Sequence, residues 1–96
     1  MTTINLAELR QITEIVFFHI EEAYGQTLVL PVDYYWDIPN DELYAIDAEP
    51  TQLSVGQLSE DWEFLSKMVV RPEDPLTYGN VWLANILRAI GNTHIT

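Results

Sequence analysis

Ninety-six residues with 48% hydrophobic and 20% charged content describe one globular domain with a modest core; a chain this short buries only about 60–65% of its unfolded surface. The absence of cysteine excludes disulfides, thiolate metal sites and cysteine nucleophiles. Fifteen acids against four bases, net charge −11, exclude nucleic acid and anionic membrane as partners, because binding them requires Lys and Arg to displace counterions.

The opening MTTINLAELR has neither the basic segment nor the apolar run of a secretory signal. No stretch of about 18 consecutive apolar residues spans a membrane. The expected location is cytoplasmic. The charge is unevenly placed: no base falls between Arg10 and Lys67, where twelve acids do. Such a surface attracts cationic proteins and speeds their encounter; the competing reading is that acids merely keep a small protein soluble.

In chain order, Asn5 and Glu8 form a capping box that opens a helix ending at Tyr24, with Gly25 as its left-handed stop. Leu6, Leu9, Ile12, Val16, Ile20 and Ala23 gather on one face. Ile15 and Phe18 project among the acids on the other side.

Residues 26–53 are too long for a structureless loop in so small a domain. Leu28-Val29-Leu30 is a short apolar run. From Val32 to Ile38 the chain alternates, with Val32, Tyr34, Trp36 and Ile38 on one side and Asp33, Tyr35 and Asp37 on the other. That is the period of a half-buried strand, and a two-stranded ribbon through these two runs must lie on the helices. Asn40 to Tyr44 reads as one capped helical turn.

Ser54 and Gln57 cap a second predicted helix to about Val69, with Val55, Leu58, Trp62, Leu65 and Val69 as its seam. Asp61 lies inside that seam. A charge there must find hydrogen bonds, a cation or a proton; Arg71, Arg88 and tyrosine hydroxyls are the candidates, and a polar anchor fixing helix docking is favoured over an acid–base role. Asp74-Pro75 opens a third predicted helix, running to Ile90 and stopping at Gly91. Gly79 on its apolar face admits close backbone approach, and Asn92 to Thr96 is expected to fray. Trp62 and Trp82 are assigned to the core.

No catalytic signature is present. The four glycines, at 25, 56, 79 and 91, are isolated, so no phosphate cradle exists. Ser54, Ser59 and Ser66 lack a nucleophile-elbow setting, and only His19 and His94 offer imidazole bases. His19 is expected to be a partly buried structural residue. No metal site or cofactor is indicated: His19 and Glu22 make only one helical ligand pair, and Pro39 interrupts the spacing of Asp33, Asp37 and Asp41.

The segment VDYYWDIPNDELY, residues 32–44, packs four aromatics and four acids into thirteen positions. If Val32, Tyr34, Trp36 and Ile38 cover the helices, then Asp33, Tyr35 and Asp37 face outward, and Asp41 and Glu42 extend the edge. A stiff aromatic among carboxylates that steer a cationic partner has the make-up of an interaction hot spot, with Phe18 as a second anchor.

In size, acidity and the acid-flanked Tyr34-Tyr35 pair beside Asp33 and Asp37, the chain resembles the immunity proteins that neutralise nuclease bacteriocins. That resemblance implies a small helical bundle binding a basic nuclease through acids and adjacent tyrosines. The blocks LSVGQLSEDW and VWLANILRAIG are similar to segments of small acidic bacterial proteins of unassigned function. The expected fold is mainly α, a three-helix core with an irregular or short two-stranded β segment between helices 1 and 2, α+β being the alternative. The expected function is a non-enzymatic, acidic protein-interaction module, an inhibitor or immunity protein for a cationic toxin or nuclease. Its edge comprises Asp33, Tyr35, Asp37, Asp41, Glu42 and Phe18. The alternative is a homo-oligomeric structural or accessory protein, a homodimer pairing Phe18 and Ile15 with a copy of themselves.

Overall fold

The structure, a computed structural model, describes residues 1–73 and 78–94. Its elements run α1 (Leu6–Tyr24), β1 (Tyr34–Asp37), α2 (Asn40–Leu43), β2 (Ser54–Gln57), α3 (Leu58–Val70) and α4 (Gly79–Thr93). The fold is thus mainly α with a two-stranded antiparallel ribbon between α1 and α3.

Helix α1 starts and stops as its ends dictate. The Asn5 side chain accepts the Glu8 N–H at 2.9 Å, satisfying one of the donors that a helix N-terminus leaves open. Gly25, at φ +86°, donates its N–H to the Glu21 carbonyl and turns the chain away. Helix α2 is one turn following Pro39, whose carbonyl accepts from both Glu42 and Leu43.

The ribbon pairs Tyr34 with Gln57, Tyr35 with Gly56, Trp36 with Val55 and Asp37 with Ser54. Its second strand is therefore the segment expected to begin a helix, while Leu28-Val29-Leu30 forms no strand. The reason lies in the cap. The Leu58 N–H donates to the Asp33 carbonyl at 2.7 Å and the Ser59 N–H to its carboxylate at 2.8 Å. Asp33, not Ser54, satisfies the start of α3, which frees Ser54–Gln57 to extend along β1. Glu60 and Asp61 in the first turn and Lys67 in the last complement the helix dipole.

Helices α3 and α4 pack together, with Phe64 stacked on Trp82 at 4.9 Å between ring centroids. Gly79 is buried at the start of α4. The helix continues through Gly91 to Thr93, and His94 packs on Tyr24 of α1 at 4.4 Å. The expected stop at Gly91 and fray from Asn92 are thus replaced, over the described residues, by helix and an aromatic contact. The predicted start at Asp74-Pro75 lies outside the described residues.

The phase of the ribbon is the reverse of the predicted one. Tyr34 and Trp36, 66% and 71% exposed, stand outward with Val55. Val32 is also exposed, and only Ile38 of that set is half-buried. Tyr35 turns toward α3 and α4. A one-residue change of phase exchanges the two faces of a strand, and here the partner residue decides it: the Tyr35 ring lies over Gly56, where any side chain would collide with it.

The interior is small. Leu58 and Asp61 are buried at 5% and 6% exposure, whereas α1 contains no buried residue. Trp62, assigned to the core from its spacing, is 62% exposed, because α1 does not close over that part of α3. The radius of gyration is 15.1 Å, against about 12–13 Å for a compact chain of this length.

Gly56→Ala should displace Tyr35 and destabilise the fold by about 1–3 kcal/mol. In thermal denaturation this reads as a fall of about 4–8 °C per kcal/mol. An unchanged midpoint would mean that the ring does not rest on Gly56.

Candidate functional site

Three elements meet at one carboxylate. Tyr35 of β1 donates its hydroxyl to Asp61 Oδ2 at 2.6 Å, and Asn85 of α4 donates from Nδ2 to the same oxygen at 3.2 Å and to the tyrosine oxygen at 2.8 Å. Asp61 itself belongs to α3. The expectation of a buried polar anchor at Asp61 holds, with a tyrosine hydroxyl as the donor. Burial raises the Tyr35 hydroxyl well above its ordinary value, and the hydrogen bond to Asp61 and the charges of Asp61, Asp37 and Glu60 act the same way, since each disfavours a phenolate there.

Of the residues expected to form an acidic edge, several have internal duties. Asp33 accepts from Gln57 Nε2 at 2.7 Å, from the Ser59 N–H and from Ser59 Oγ at 3.0 Å. The Gln57 bond, followed by the Ser59 N–H, holds its carboxyl below the ordinary range. Glu42 gathers the incoming chain: it accepts from the Thr51 hydroxyl and from the N–H groups of Thr51 and Gln52 at 3.2 and 3.1 Å. These bonds, the Thr51 hydroxyl first, lower its pKa. Tyr35, expected outside, is the inward-turned donor described above. Asp37 and Asp41 are exposed, and Phe18 is 58% exposed. The outward aromatics of this edge are Tyr34 and Trp36. The sequence signal for them is the alternation itself, which marks two unlike faces without showing which one is covered.

Two clefts flank these residues. One, of about 500 Å³, runs between the ribbon and the α3–α4 pair past Asp37, Glu60 and Asp61. The other, of about 650 Å³, separates α1 from α3 and α4 and is lined by Phe17, Ile20, Leu28, Leu30, Leu58, Trp62, Ile86 and Ile90 among others. Its walls are apolar side chains that a compact domain would bury.

No serine hydroxyl meets an imidazole: Ser59 is engaged with Asp33 and Ser66 with the Glu63 carbonyl. His19 is exposed, in edge contact with Phe18, rather than partly buried as expected; α1 contains no buried residue. Among the described residues no group of three metal-ligating side chains converges, and no described helix is long and apolar enough to cross a membrane.

Compared with known protein families, curated proteins and solved structures, the chain matches none.

The titrating groups set a pH window. Tyr35 has a raised pKa in the fold, so its contribution is fully present below about pH 10, the unfolded value, and declines as the pH rises further. Asp33 and Glu42 have lowered values, so theirs is present above about pH 4 and declines as the pH falls. Tyr35→Phe should remove a donor from buried Asp61, cost about 1–3 kcal/mol at neutral pH, and flatten the alkaline limb of a stability–pH profile. An alkaline limb unchanged by that substitution would refute the coupling.

Proposed function

We propose that this chain is an acidic protein-interaction module for a cationic protein, acting as an inhibitor or immunity protein for a basic toxin or nuclease. The observation that carries the reading is the outer ribbon face, where Tyr34 and Trp36 stand exposed, with exposed Asp37 at the end of the same strand and Asp41 close in sequence. Stiff aromatics with few rotatable bonds lose little entropy on binding, and surrounding carboxylates steer a positive surface toward them. Phe18 offers a further exposed ring on α1. Asp33, Tyr35 and Glu42 support this surface from within instead of touching the partner. No substrate or cofactor enters the reading, because the residues at hand hold and orient but supply no nucleophile–base pair.

Pull-down from lysate should capture one basic protein at low salt and release it at about 1 M salt, where the screening length falls to about 3 Å. Trp36→Ala should weaken the purified complex more than tenfold, the size of a hot-spot loss. Capture of nothing, or binding indifferent to salt and to Trp36→Ala combined with Asp37→Ala, would contradict the proposal.

A second reading, a homodimer, is favoured by a separate observation. The accessible surface is 8373 Å², whereas a compact monomer of 11.1 kDa exposes roughly 5,700 Å². That excess of roughly 2,700 Å² per chain is roughly 5,400 Å² over two copies, at the upper end of obligate interfaces, which count both partners, and α1 offers Leu9, Ile12, Ile15, Val16 and Phe18 to it. Light scattering distinguishes the two readings. A mass of twice 11.1 kDa that persists on dilution and is abolished by Ile15→Asp supports the homodimer; a monomer leaves the cationic partner as the occupant.

A further inference from the structure

We infer that the apolar cleft between α1 and the α3–α4 pair seats α1 of a second copy of this chain; the inference rests on the homodimer reading above and names the surfaces that meet. Helix α1 carries more apolar surface than one packed face uses. At about 100° per residue, Ile15, Ile12, Val16, Leu9, Ile20 and Phe17 sweep an arc of about 200°, interrupted by Glu8, Thr13 and His19. A helix lying on one core needs a stripe of about 100°. The structure divides the arc in two. Phe17 and Ile20 line the cleft from the α1 side. Leu9, Ile12, Ile15 and Val16 do not line it and stand 46–50% exposed.

The opposite wall is equally open. Trp62 of α3 and Leu83 of α4 line the cleft and remain exposed. Its charged lining residues are Glu21 and Asp33, and the Asp33 carboxylate is already engaged by Gln57 and Ser59, so an apolar occupant is favoured. Size decides how the cleft is filled. A helix with its side chains is about 10–12 Å across, and 19 residues run about 28 Å, a cylinder of roughly 2,200 Å³. The cleft, about 650 Å³, holds a row of side chains and not a whole helix. The second copy's α1 therefore lies along the mouth and inserts its Leu9, Ile12, Ile15 and Val16 side chains. A two-fold axis makes the exchange mutual, each α1 closing the other copy's cleft. A small molecule confined to the cleft would leave those four side chains uncovered, whereas a second copy covers both surfaces at once. The area agrees, since the excess of roughly 2,700 Å² per chain is what an obligate pair buries. Tyr34 and Trp36 do not line this cleft, so such a pair leaves the ribbon face to a cationic protein.

The test is isotope-filtered NMR on labelled and unlabelled full chain refolded together from urea, with sedimentation equilibrium on the same protein. Intermolecular NOEs should link the Ile12 and Val16 methyls of one copy to the Trp62 indole and Leu83 methyls of the other. Trp62→Ala, at an exposed position, should raise the dimer dissociation constant more than about tenfold while the helical circular dichroism is kept. Each chain carries a net charge of −11, so the dimer should tighten at least about twofold between about 0.1 M and about 1 M NaCl, as the screening length falls from about 10 Å to about 3 Å. Capture of a cationic protein weakens over the same range, so the sign of the salt effect separates the two kinds of contact. A dimer whose intermolecular NOEs fall on Tyr34 and Trp36 instead, or one indifferent to Trp62→Ala, overturns this groove and leaves the homodimer reading standing. A dimer loosened by salt overturns the apolar contact. A monomer at every concentration, with or without a small apolar molecule bound, overturns both. If Trp62→Ala fails to fold, the NOEs of the unsubstituted chain decide.

Discussion

The tertiary structure depends on one buried carboxylate. Asp61 lies between Leu58 and Leu65 on an apolar seam, where an ionised side chain without partners would be expelled. Tyr35 and Asn85 each donate to it, and they arrive from the ribbon and from α4, 26 residues before and 24 after. The ribbon would be marginal on its own. With Leu58 alone buried among the described hydrophobic residues, polar satisfaction at this point does much of what a larger apolar core does elsewhere. Gly56 belongs to the same device, since the Tyr35 ring can reach Asp61 only by passing over a residue with no side chain.

What could be read in the sequence was local. The α1 boundaries follow from Asn5 and Gly25, which act through neighbours three or four residues away, and the turn at Asn40–Leu43 and the buried charge at Asp61 were equally visible. What could not be read depended on distant partners. The α3 cap comes from Asp33, across 26 residues, whereas the local pattern at Ser54 and Gln57 points to a helix where the chain forms β2. The ribbon's period was legible, but its phase was not: alternation shows that two faces differ without showing which is covered. Apolar bulk favoured Trp36 inward, whereas a polar network claimed Tyr35. Trp62 is exposed for a related reason, since seam spacing implies a helix on the other side and α1 leaves that space open.

The openness of the structure bears on function. An α1 without a buried residue, an apolar cleft of about 650 Å³ behind it and a surface well above the monomeric expectation leave apolar area that water does not favour. In the function proposed here a partner covers that area, and the charge pattern sets the sign it would carry. Some acids of the middle segment are consumed in holding the fold, as Asp33 and Glu42 are; Asp37 and Asp41 remain exposed near Tyr34 and Trp36 in the chain. The resemblance to immunity proteins rests on the same tyrosine pair, but in this chain the two tyrosines divide the work. Tyr35 braces the interior and Tyr34 faces out.

The junction at Asp61 is tested most directly by a double-mutant cycle of Tyr35→Phe and Asn85→Ala, with stability read by urea denaturation. If the two side chains satisfy one carboxylate together, their effects will be non-additive, with a coupling of about 0.5–3 kcal/mol. Additivity to within about 0.3 kcal/mol would mean that ribbon and α4 are held independently, and the shared anchor would not exist.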